Sequence, residues 1–175
     1  QMRSESDIKA TVLIVDDEPV NIQVLFPLLE ETGHKILVAT DGNECLKIAG
    51  RGRPDLILLD IIMPELDGYE TCRRLKRNSN TQDIPVIFLS ALDEEESILN
   101  GFAVGGVDYI TKPFREAEVR ARITAHLTIV EQRNALADLN RRLSESERQL
   151  KEAEAVAGIG SWERNLTTGR GRWSD

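Results

Sequence analysis

The chain has 175 residues, 41% of them hydrophobic and 30% charged, which is room for one globular domain plus an extension but too little for two full domains. In residues 1–115, 12 Lys and Arg stand against 20 Asp and Glu, a difference equal to the whole net charge of −8. That balance excludes a domain that grips nucleic acid through its surface charge, and no apolar stretch approaches the roughly 20 residues that span a bilayer. The opening QMRSESDIKA lacks the apolar centre of a signal peptide, and its first Gln reads as a fragment boundary or tag remnant. Cys45 and Cys72 belong to no CxxC or Cys/His grouping and read as small buried side chains of a reduced, cytoplasmic protein.

In chain order, apolar β-rich runs occur at 11–16 (TVLIVD), 35–40 (KILVAT), 55–60 (DLILLD), 85–90 (PVIFLS) and 107–111 (VDYIT). They are continuously apolar rather than alternating, which predicts a parallel sheet covered on both faces. Between them lie helical spacings. Val20, Val24, Leu25, Leu28 and Leu29 mark the first, ended by Gly33, and Cys45, Leu46, Ile48 and Ala49 the second. Tyr69, Cys72 and Leu75 mark the third, and Ile98, Leu99 and Phe102 the fourth. Five alternations of strand and helix predict an α/β doubly wound sheet, whose ligands bind beyond the carboxyl ends of the strands.

Those ends carry polar residues: Asp16-Asp17 after the first strand, Asp60 after the third, Ser90 after the fourth, and Thr111-Lys112-Pro113 after the fifth. Singly, Asp17 reads as a helix N-cap before Glu18-Pro19, Asp60 as a turn former, Ser90 as another cap and Lys112 as a surface lysine. Together they read as a site. Three carboxylates in a small volume raise one another's pKa unless a cation sits among them, and a hard divalent ion such as Mg²⁺ answers that need.

Asp16-Asp17, DIIMPELDG around Asp60, LSA at Ser90 and GGVDYITKPF resemble the receiver domain of two-component response regulators, over residues 11–128. The resemblance implies a flavodoxin-like fold with sheet order 2-1-3-4-5. It implies that Asp60 is the nucleophile taking a phosphoryl group from a phosphohistidine of a sensor histidine kinase or phosphotransfer protein. Asp17, Asp60 and the Ile62 backbone carbonyl would ligate Mg²⁺, with Asp16 acting mainly through water. Lys112 and the Ser90 hydroxyl would hold phosphoryl oxygens, Tyr109 would turn inward as Ser90 moves, and the Lys112-Pro113 bond would be cis. His34 and His126 have neighbours unlike those of phosphorelay or metal histidines and read as incidental. A Mg²⁺-dependent phosphatase of the haloacid dehalogenase type is the enzymatic alternative, although that family places its nucleophile on strand one. A third reading makes the receiver degenerate and the protein a dimerising adaptor only.

Beyond Phe114 a helical pattern continues. Ile129, Leu136, Leu143, Leu150 and Ala157 recur every seven residues, with Leu139 and Ala153 at the second seam position and Gln132 and Ser146 weakening it. Residues 129–157, about 43 Å as a helix, read as a coiled coil that forms a homodimer, with Arg142 and Glu147 suited to an interchain pair. The alternative is a lone helix packed on its own sheet. Residues 158–175, with short strands at 161–166 and 171–173 around a turn at 167–170, look like the opening hairpin of a PAS domain. Residues 1–10 form a polar tail. The output module beyond is a histidine kinase or a diguanylate cyclase on this reading, with no residue deciding between them.

Overall fold

The computed structural model describes residues 9–91, 95–157, 162–164 and 171–173. Five strands, β1 (Thr11–Val15), β2 (Lys35–Ala39), β3 (Leu56–Asp60), β4 (Val86–Ser90) and β5 (Asp108–Thr111), form one sheet in the order 2-1-3-4-5. Every neighbouring pair in it is parallel. The intervening helices are α1 (Pro19–Glu31), α2 (Gly42–Gly52), α3 (Gly68–Arg77) and α4 (Glu95–Ala103), and α5 runs over Glu116–Ala157. The chain divides into two units, Gln1–Val130 and Glu131–Asp175.

In the first unit the strand pleat sends alternate residues to opposite faces, so each strand feeds two cores. Leu13, Val15, Ile57, Leu59 and Phe88 meet Cys45, Ala49, Cys72 and Leu75 from α2 and α3. Val12, Ile14, Leu58, Ile87, Leu89 and Ile110 meet Leu25 and Leu29 of α1 and Val119 and Ile123 of α5. Both cysteines are buried and free, as the composition suggested. Local chemistry starts the helices where the sheet needs them. Asp41 and Asp67 cap α2 and α3 by accepting hydrogen bonds from the backbone N–H of Glu44 and Glu70, each at 2.8 Å.

Two helix faces differ from expectation. Val20 and Val24 are 59% and 47% exposed, and the inward stripe of α1 is Ile22, Leu25, Leu28 and Leu29. On α4, Leu99 and Phe102 are 69% and 48% exposed, while Gly101 faces inward. Here close approach to Phe88 and Tyr109 outranks hydrophobic area in deciding which side of the helix faces the sheet.

His126, read as incidental from its neighbours, takes part in an ion network. Its Nε2 lies 3.0 Å from Asp108 Oδ2, and Arg122 Nη1 lies 2.6 Å from Asp108 Oδ1. The Asp108 carboxyl, although partly desolvated, is held below its ordinary pKa by hydrogen bonds from Arg122 and His126. The network fastens α5 to the start of β5.

In the second unit, Leu136, Leu139, Leu143 and Leu150 of α5 are all exposed. Arg142 Nε is 2.8 Å from Asp138 Oδ2 of its own helix. The antiparallel strands β6 (Trp162–Arg164) and β7 (Gly171–Trp173) pair with Trp162 opposite Trp173. The predicted turn at 167–170 lies outside the described residues. No helix of the described residues is long and apolar enough to cross a membrane.

Candidate functional site

Parallel strands of matched length end together, and that register gathers the site. Asp16 directly follows β1, Asp60 and Ser90 are the last residues of β3 and β4, and Lys112 directly follows β5. The Lys112 backbone N–H donates to the Ser90 carbonyl at 2.7 Å, which fixes the lysine beside the end of β4. The Lys112-Pro113 peptide bond is cis.

Asp16, Asp17 and Asp60 each present a carboxylate oxygen, and these lie within 4.8 Å of one another. Lys112 Nζ is 2.9 Å from Asp16 Oδ2 and 3.1 Å from Asp60 Oδ1. Burial, then the Asp16 charge, push the Asp60 carboxyl up to about 6 against the opposing pull of Lys112. Burial works against the Lys112 charge, but the hydrogen bonds it donates to Asp16 and Asp60 hold that ammonium above its ordinary pKa.

Asp16 is fully buried. Its Oδ1 accepts from the Glu18 backbone at 2.9 Å and from Asn21 Nδ2 at 3.0 Å. Its Oδ2 has the Lys112 ion pair but no hydrogen bond of good geometry. The N-cap residue of α1 is Glu18, without a side-chain cap, so Asp17 does not serve as that cap. Among three clustered carboxylates, one ammonium thus pairs with Asp16 and Asp60, and the buried Asp16 Oδ2 has that ion pair as its polar contact. These residues fit a hard divalent cation bound through oxygen.

The cleft is walled by Asp17, Glu18, Asp60, Ile61, Ile62, Leu89, Ser90, Ala91 and Lys112. Ile62 stands 71% exposed at its rim. Gly68 explains the turn after Asp60. Its backbone N–H donates to the Ile61 carbonyl at 2.9 Å, and a Cβ there would run into the Asp60 carbonyl oxygen and lie 2.8 Å from Ile61 Cα. Only glycine lets α3 start so close to the strand. Tyr109 is buried beside this region, its ring centroid 5.5 Å from that of Phe88. Of the predicted site residues, Asp17, Asp60, Ile62, Ser90 and Lys112 line the cleft, Asp16 pairs with Lys112, Pro113 follows it, and Tyr109 packs on Phe88 of β4. Asn21 was missed, although its place five residues after Asp16 on the first helix was a usable signal.

Comparison with known proteins agrees with this arrangement. Residues 12–124 match the response regulator receiver domain. The alkaline phosphatase synthesis transcriptional regulatory protein PhoP of Bacillus subtilis is 42% identical over 116 residues, 66% of this chain and 48% of that protein. Protein PilH of Pseudomonas aeruginosa is 38% identical over 118 residues, covering 67% of this chain and 98% of PilH. The chain therefore spans about half the length of relatives such as PhoP but nearly all of PilH. Among solved structures, the receiver domain of a sensor histidine kinase from P. aeruginosa PAO1, described with a magnesium ion in its active-site cleft, superposes with a TM-score of 0.64 at 32% identity, covering 68% of this chain and 98% of that one. The haloacid dehalogenase alternative finds no support, since the isolated aspartate ends β3 rather than β1. With its sheet order, its strand-end acidic cleft and this match over most of its length, the chain belongs to the response regulator receiver domain family.

Proposed function

We propose that Asp60 is the phosphoacceptor of a two-component relay. The observation that carries this reading is the single buried carboxylate at the end of β3, 3.1 Å from Lys112 and clustered with Asp16 and Asp17. An Asp60 oxygen attacks the phosphorus of a phosphohistidine from a sensor histidine kinase or phosphotransfer protein. The P–N bond breaks, its electron pair returns to the imidazole, and an aspartyl phosphate forms. Asp16, Asp17, Asp60 and the Ile62 carbonyl would hold Mg²⁺, which supplies charge neutralisation for the transferring group. Lys112 neutralises a phosphoryl oxygen, the Ser90 hydroxyl donates to another, and Tyr109 lies inward when Ser90 makes that bond. Incubation with acetyl phosphate and Mg²⁺ should add the mass of one phosphoryl group, and Asp60→Asn should abolish it. A full adduct in that variant refutes the assignment.

The output reading rests on continuity and on exposed leucines. Residues 129–157 of α5 form a parallel coiled coil with a second copy through Leu136, Leu139, Leu143 and Leu150. Phosphorylation alters that dimer's geometry rather than creating it. Residues 158–175 begin a PAS domain that precedes a further output module in a cytoplasmic protein, and this region makes no direct contact with nucleic acid.

A further inference from the structure

Gly101 sits within α4, where glycine is among the poorest helix formers. A glycine kept inside a helix usually serves close packing. A Cβ at Gly101 would overlap the Tyr109 hydroxyl oxygen, lie 2.6 Å from Tyr109 Cζ, and lie 2.9 Å from Phe88 Cδ2. The Gly101 backbone and the Tyr69 side chain hydrogen-bond the Tyr109 phenol. The ring is enclosed by Phe88 and Phe102, with centroids at 5.5 Å and 5.7 Å. Gly106 closes the far side. Its N–H donates to the Gly101 carbonyl at 2.9 Å, and a Cβ there would overlap the Phe88 ring.

The β4–β5 register pairs Phe88 with Tyr109 and Ser90 with Thr111. Alternation then puts Ser90 and Tyr109 on one sheet face as diagonal neighbours. The geometry points to Gly101 as a positioning residue of the phosphoryl switch: the space left by its absent side chain holds the Tyr109 ring inward, and the inward ring favours the Ser90 arrangement that binds a phosphoryl group. The inference rests on the reading of Ser90 and Tyr109 given above. It adds a residue of α4 that lines neither the cleft nor any ligand. Any side chain at Gly101 drives the ring out, and by linkage an outward ring weakens phosphoryl binding by the same factor.

The test uses the full chain with ¹³C-labelled tyrosine and beryllofluoride plus Mg²⁺ as the phosphoryl mimic. In Gly101→Ala the Tyr109 resonance should become accessible to a paramagnetic solute, and beryllofluoride affinity should fall by roughly 5-fold or more. Gly101→Ala/Tyr109→Ala should match Tyr109→Ala within about twofold, because the clash is gone. A ring that stays protected in Gly101→Ala overturns the inference, as does an exposed ring with unchanged beryllofluoride affinity. If Gly101→Ala fails to fold, recovery of folding in the double variant upholds the clash, and failure of both overturns it. Absence of beryllofluoride binding in the wild-type chain would instead sink the phosphoacceptor reading and the coupling to it, while the tyrosine spectra would still decide whether Gly101 seats the ring.

Discussion

Removing the charge at Asp60 should stabilise the metal-free fold. The folded state raises the Asp60 carboxyl from its ordinary 3.8 to about 6, so it binds that proton more tightly than the unfolded chain does. The sign follows: stability is gained as pH falls through the window between 6 and 3.8 and is lost as pH rises through it. A shift of this size corresponds to about 3 kcal/mol at 1.36 kcal/mol per unit, and relaxation of the cleft reduces it to about 2–3 kcal/mol. Asp60→Asn, nearly isosteric, should therefore unfold at higher urea than wild type at about pH 8 in EDTA, and the difference should vanish near pH 4. Mg²⁺ should reverse the order. At 100 times its dissociation constant it stabilises the wild type by about 2.7 kcal/mol, while the variant has lost a ligand. A variant no more stable than wild type in EDTA at high pH, or equal stabilisation of both by Mg²⁺, would refute the electrostatic account of the cleft.

Two further outcomes follow from the rim and the extension. If Asp60 is the phosphoacceptor, the exposed Ile62 side chain stands where water would approach the acyl phosphate, and Ile62→Asn should shorten the phosphoryl lifetime several-fold. An unchanged or longer lifetime, followed by intact mass after removal of donor, would count against it. The matching position two residues after Ser90, Leu92, lies outside the described residues. Leu143→Asp with Leu150→Asp should give monomers by light scattering while Asp60 still accepts phosphoryl. A wild-type chain that is monomeric at high micromolar concentration with and without beryllofluoride would remove the coiled coil.

Strands and site were legible for the same reason. A strand buried on both faces must be apolar along its whole length, so a carboxylate or lysine at its end stands out, as Asp60 does after LILL. Helix faces were less legible because several stripes fit one segment. Val20 and Val24 have the spacing of an inward face, yet Ile22, Leu25 and Leu29 occupy it. Leu99 and Phe102 outweigh Gly101 on any hydrophobicity count, but the space beside Tyr109 is decided by contact distance. Interactions between distant residues gave no local signal. Asp108 and His126 are 18 positions apart and meet only once β5 and α5 are placed together.

Gly68 has a mechanical consequence for the cleft. With the start of α3 pressed against the Asp60 carbonyl and the Ile61 backbone, the end of β3 that carries Asp60 is backed by a close-packed wall. On the proposed phosphoacceptor reading, a phosphoryl group arriving on Asp60 would therefore not be accommodated by recoil of β3. The displacement would then be taken up across the cleft, at Ser90 on β4 and Lys112 after β5, with one side of the pocket as a fixed stop and the other as the moving arm. A residue with a Cβ at position 68 would soften that stop, and the work of phosphorylation would be spent on deforming the strand rather than on moving β4 and β5.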